Sequence, residues 1–105
     1  IEDLPIQAAE CDLLFLSQVL HHAATPEKVL REAHRVLEKN GRIVILDLLS
    51  HDQEWVREKM GDLWLGFDIN QLKNLLELVG FSVIQKKIIP IEGGLPLILL
   101  NGIKL

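Results

Sequence analysis

With one cysteine in 105 residues, the chain cannot form an internal disulfide. No apolar run approaches the ~18 residues needed to span a bilayer, and no basic-then-apolar leader opens the sequence. A surplus of positive charge is also missing: 11 Lys and Arg stand against 15 Asp and Glu, a net charge of -4. The electrostatic footprint of a direct nucleic-acid binder is therefore absent, and no membrane partner is implied. A reducing cytoplasm is the expected compartment. No Gly-x-Gly occurs, which removes the usual dinucleotide fingerprint. The sequence opens on Ile1 and its only methionine is Met60, so it is expected to be a piece of a longer protein.

What is present is the balance of one soluble globular domain, 49% hydrophobic and 25% charged. Its apolar residues alternate between strand-like and helix-like spacing. Residues 12–17 form a short, continuously apolar run that predicts a strand covered on both faces. Thr25, Pro26 and Glu27 form a helix start, with a hydroxyl able to accept an orphan amide, a proline suited to the first turn and an acid near the positive dipole end. Val29, Leu30, Ala33, Val36 and Leu37 continue at helical spacing, and Asn40-Gly41 is expected to end that helix. On its outer face Glu27, Arg31, Glu32 and Arg35 suit i, i+4 pairing.

Residues 42–49 predict a second buried strand, joined to the first by a right-handed parallel crossover. Ser50 and Gln53 suit a capping box for a helix carrying Val56, Met60 and Leu63. Asp68 and Gln71 open a further helix with the stripe Leu72, Leu75, Leu76 and Val79, closed by Gly80. Residues 81–89 predict a third strand that Gln85, Lys86 and Lys87 assign to a sheet edge. After the turn chemistry of residues 90–94, the apolar residues 95–105 return as a strand antiparallel to the third. An apolar return beside a polar edge predicts that the last strand inserts between the second and third.

This α/β order, three parallel strands plus a final antiparallel strand with flanking helices, resembles the C-terminal half of the Rossmann-like class I S-adenosylmethionine-dependent methyltransferases. Residues 12–22 (DLLFLSQVLHH) look like the family's fourth-strand motif, and Gly41 to Asp47 (GRIVILD) resembles its next strand. Residues 2–5 (EDLP) look like the tail of the adenine-binding loop. The stretches Asp47 to Asp52 and Gly61 to Phe67 are most similar to methyltransferase modules fused to ArsR-type repressors. Cys11 stands where an aromatic is usual, and Glu38-Lys39-Asn40-Gly41 replaces the family's Lys-Pro-Gly-Gly turn. The resemblance implies that the family's glycine-rich cofactor loop and ribose-binding acid precede Ile1. It thus implies a partial methyltransferase domain over residues 1–105, with S-adenosylmethionine as the cofactor of the full-length parent and no activity in this piece alone.

Ligand contacts in open α/β sheets gather beyond the carboxyl ends of the strands. That rule and the resemblance select Ser17, Gln18 and Val19 for the donor, with Ile1, Glu2, Asp3 and Leu4 near the adenine. For the acceptor they select Asp47, His51 and Trp64. His22 is the candidate general base; adjacent histidines on a helix point ~100° apart, so at most one of His21 and His22 faces the cleft. Trp55, Trp64 and Phe67 either build an acceptor lid or pack as core aromatics. No pair of histidines at i, i+4 and no Cys-x-x-Cys spacing organises His21, His22, His51, Asp47 and Asp52 as a metal site. The expected acceptor is a small molecule. The first strand, lacking its upstream neighbour, is expected to pair with a missing N-terminal half or to self-associate. A non-catalytic interaction module that keeps the fold is the alternative.

Overall fold

The computed structural model describes residues 11–20, 23–49 and 67–105. The chain order is β1 (Cys11–Ser17), α1 (Pro26–Val36), β2 (Leu37–Leu48), α2 (Ile69–Val79), β3 (Phe81–Ile89) and β4 (Leu97–Lys104). The four strands form one sheet in the order β1-β2-β4-β3. β1 runs parallel to β2, and β4 is antiparallel to both β2 and β3. The last strand therefore sits between the second and third, as the polarity of its neighbour predicts. The rim position of β3 leaves Gln85, Lys86 and Lys87 exposed, while Ile98 and Leu100 of β4 are buried.

Both helices pack on one face of this sheet. Val29, Leu30 and Ala33 of α1 join Leu72 and Leu76 of α2 over Leu16, Ile43, Ile45, Phe81, Ile98 and Leu100 in a continuous core. Burying each large side chain of this kind contributes roughly 1.5 to 3 kcal/mol. β1 departs from expectation: Leu16 is 4% exposed, but Leu13 and Phe15 are each 57% exposed. An unbroken apolar run does not reveal which face has a neighbour, and among the described residues the helices cover only one.

Each helix end has a local cause. The Asp68 side chain accepts from the amides of Asn70 and Gln71, both at 3.0 Å, and caps α2. α2 ends at Gly80, whose φ of 121° favours glycine, and whose amide reaches the carbonyls of Leu76 and Glu77. At α1 the Thr25 hydroxyl makes no capping bond, contrary to expectation; its backbone carbonyl accepts from the Lys28 amide at 3.0 Å instead. Of the surface pairs, Glu27 with Arg31 is i, i+4, whereas Arg35 binds Glu32 at i, i+3.

The end of α1 also corrects the sequence reading. The helix stops at Val36, because Leu37 is already extended and pairs with Cys11 of β1. The next partners are Leu13 and Arg42, so two steps along β1 match five along β2, and the surplus bulges out. Asn40 (φ 66°) turns this bulge inside a strand and does not cap a helix. Gly41 follows under tight constraint, since an added Cβ would lie 2.8 Å from the Glu38 carbonyl oxygen. The Gly93 and Gly94 turn is as expected, with Gly93 at φ 72° and the Gly94 amide on the Ile91 carbonyl at 3.1 Å. The helix expected after Ser50 lies outside the described residues.

Candidate functional site

The parallel pair β1 and β2 ends on the same side of the sheet, and the chain leaving β1 is fastened across that end. At Gln18 the backbone turns through φ 54°, and its amide donates to the Leu46 carbonyl at 2.6 Å. Two residues on, the Leu20 amide donates to Asp47 Oδ2 at 3.0 Å, while the Leu20 side chain is fully buried in the core. The Ala23 amide then closes a turn onto the Leu20 carbonyl at 3.0 Å. Ser17 and Gln18 are left exposed at the strand end, and Val19 is half-buried beside them. Loop fixation across two strand ends is what a preformed binding edge requires.

Asp47 has a different position from the one its sequence neighbours suggest. It was expected to face the acceptor, yet it is 0% exposed. Its Oδ1 accepts from the Leu48 amide at 2.7 Å and its Oδ2 from Leu20. The cause is strand alternation: Ile43, Ile45 and Asp47 share the face that packs on the core.

A cavity of about 340 Å³ opens beside this edge, between the first turns of α1 and α2. Ala24, Thr25, Pro26 and Glu27 form one wall; Phe67, Gln71, Leu72 and Leu75 form the other. Phe67 is tied to the end of β2, its amide on the Leu48 carbonyl at 2.8 Å and its backbone bridged in parallel to Leu49. The apolar lining with a few polar groups suits a small organic ligand. Of the two readings the sequence allows for Phe67, acceptor lid or core aromatic, the structure shows it partly buried against the core while it also lines this cavity. Thr25 to Glu27 and Gln71 read from the sequence only as helix starts, and nothing in their spacing ties the two starts to one cavity.

Ile1, Glu2, Asp3, Leu4, His21, His22, His51, Trp55 and Trp64 lie outside the described residues. Among the described residues no group of three His, Cys, Asp or Glu side chains is placed to hold a metal ion. No described helix is long and apolar enough to cross a membrane. Among the described residues the titration of His34 is perturbed: burial first, and then the positive charge of Lys104, lower its pKa, against a hydrogen bond with the Gly80 backbone. His34 lies in the last turn of α1 beside the end of α2, so its shift belongs to the packing there and not to the strand-end site.

Residues 1–45 match the family model described as a methyltransferase domain. A tRNA U34 carboxymethyltransferase from Campylobacter jejuni is 32% identical over 92 residues, covering 78% of this chain and 31% of the relative. A solved putative sarcosine dimethylglycine methyltransferase from Galdieria sulphuraria superposes with a TM-score of 0.83 at 15% identity, over 98% of this chain and 56% of that one. The chain belongs to the class I methyltransferase fold family. The same Rossmann-like arrangement relates this methyltransferase domain to the Burkholderia thailandensis 1,6-didemethyltoxoflavin-N1-methyltransferase, solved with bound 1,6-didemethyltoxoflavin and S-adenosylhomocysteine (TM-score 0.78, 20% identity, 98% and 47% coverage). The domain spans about a third or less of the length of the curated relatives it matches. None of these relatives is named as an ArsR-type fusion, and they lend that narrower resemblance no support.

Proposed function

We propose that this chain is the C-terminal part of an S-adenosylmethionine-dependent methyltransferase acting on a small-molecule acceptor in the cytoplasm. The observation that carries the proposal is the Ser17 to Leu20 loop, pinned to Leu46 and Asp47 across the ends of two parallel strands. Exposed Ser17 and Gln18 fit the polar amino-acid portion of the donor, and half-buried Val19 fits its apolar flank. When bound, the donor supplies a methyl group on an electrophilic sulfonium. The chain's own part is to hold the donor edge still and align the acceptor. The neighbouring cavity is large enough for a small molecule, and its Glu27 and Gln71 offer polar groups to orient one. His22 is the candidate to take a proton from the acceptor, His51 and Trp64 the candidates to contact it, and Ile1 to Leu4 those for the adenine side.

The remaining donor contacts, in this proposal, come from residues before Ile1. The exposed β1 edge is where that N-terminal half, or a second copy of the chain, would pair. Calorimetry with S-adenosylhomocysteine tests the whole. The full-length protein is expected to bind in the micromolar range and the 105-residue chain alone far more weakly. A full-length protein without measurable binding overturns the donor assignment, and low-micromolar binding by the isolated chain overturns its dependence on upstream residues.

A further inference from the structure

Asp47 is a fully buried carboxylate on the strand face it shares with Ile43 and Ile45, where an aliphatic side chain would be buried without losing hydration. Its oxygens are instead spent on backbone amides, Oδ2 on Leu20 at 3.0 Å and Oδ1 on Leu48 at 2.7 Å. The Leu20 side chain is fully buried, and without an acceptor at its amide a donor would be left unpaired. Between this bond and the one from the Gln18 amide to Leu46, Gln18 is held at φ 54°, a conformation most side chains avoid.

We propose that Asp47 is a positioning residue for the donor: its buried carboxylate, by gripping the Leu20 amide, fixes the shape of the Ser17 to Val19 edge. The proposal rests on the assignment of that edge to the donor. Asp47→Asn keeps one accepting oxygen, whereas Asp47→Leu keeps none and restores an apolar fill. In the full-length protein, affinity for S-adenosylhomocysteine should fall about tenfold in Asp47→Asn and further in Asp47→Leu. The control Leu76→Ala, cut from the core under α2, should lose thermal stability yet keep its affinity. Hydrogen exchange on the wild type supplies a readout independent of variant folding, with the Leu20 amide expected to be as protected as the Ile45 amide of β2.

Three outcomes would overturn the proposal. Both Asp47 variants could bind within twofold of wild type, Leu76→Ala could lose as much affinity as they do, or the wild-type Leu20 amide could exchange at the rate of an open loop. If the wild type itself binds no S-adenosylhomocysteine, the donor assignment fails first and this inference with it. Intact wild-type binding with unaffected Asp47 variants sinks the inference alone.

Discussion

Gly80→Ala isolates a close contact between the ends of the two helices. Gly80 has φ 121°, and an added Cβ would sit 2.7 Å from His34 Nε2 and 3.2 Å from its Cδ2. The imidazole cannot slide away inward, because it already meets the ring of Phe81 edge-on, centroids 5.3 Å apart at 83°, and Phe81 is 1% exposed. It must swing toward solvent, giving up an aromatic contact of about 0.5 to 1.5 kcal/mol. The backbone conformation itself adds roughly 1 to 3 kcal/mol for a residue with a side chain. The two together predict a loss of about 2 to 4 kcal/mol. In urea, with a slope of roughly 1 to 3 kcal/mol per molar, the midpoint should drop by about 0.7 M or more at unchanged slope. A double-mutant cycle separates the parts: with His34→Ala as background the clash disappears, the backbone cost remains, and a coupling of about 1 kcal/mol should appear. A cost below about 0.5 kcal/mol, or the same cost in both backgrounds, would refute the assignment of the clash to His34.

The same histidine predicts a pH dependence. Burial and Lys104 hold its folded pKa below 6.5, so between that lowered value and 6.5 the unfolded chain binds more protons than the folded one. Stability from this group is complete above pH 6.5 and is lost as the pH falls toward the folded pKa. Melting temperatures followed from neutral to acidic pH should therefore fall more steeply in wild type than in His34→Gln, and parallel curves would contradict this. At the other rim of the sheet, Leu13 and Phe15 expose apolar surface on β1. Sedimentation of the 105-residue chain should show dimers or larger species that the double variant Leu13→Lys, Phe15→Lys reduces to monomer; a strictly monomeric parent chain removes the case for self-association.

Strand order was legible because polarity and position agree. The Gln85, Lys86 and Lys87 run tolerates only an edge, and the apolar run from Leu97 to Leu100 needs neighbours on both sides. Helix α2 was legible for a local reason, since Asp68 and Gly80 each satisfy groups within their own turn. Asn40-Gly41 was not. The pair reports a left-handed backbone position, which φ 66° at Asn40 confirms, but the same dihedral closes a helix or bulges a strand. Leu37 completes the helical stripe and also begins β2, and only its pairing with Cys11 decides between them. The exposed face of β1 was hidden for a related cause, because apolar composition states a demand for cover without saying where cover comes from.

Asp47 separates two kinds of site evidence that coincide in one dimension. Its place at the end of a buried strand suggested a group presented to ligand, whereas the alternation of Ile43, Ile45 and Asp47 already placed it on the core face. Burial turned a candidate contact into a support for the loop that carries the candidate contacts. The extent of the family match fits that division. It runs through residue 45 and so contains Ser17, Gln18, Leu20 and the Ala24 to Glu27 wall of the cavity, but it stops short of Phe67, Gln71 and Leu75 on the opposite wall. In the proposed enzyme the donor edge is thus drawn from the part of the chain that matches the family model, and the cavity wall at Phe67, Gln71 and Leu75 from the part beyond it. Asp47, two residues past the end of the match, joins the two by fixing the donor loop from the strand whose end also anchors Phe67.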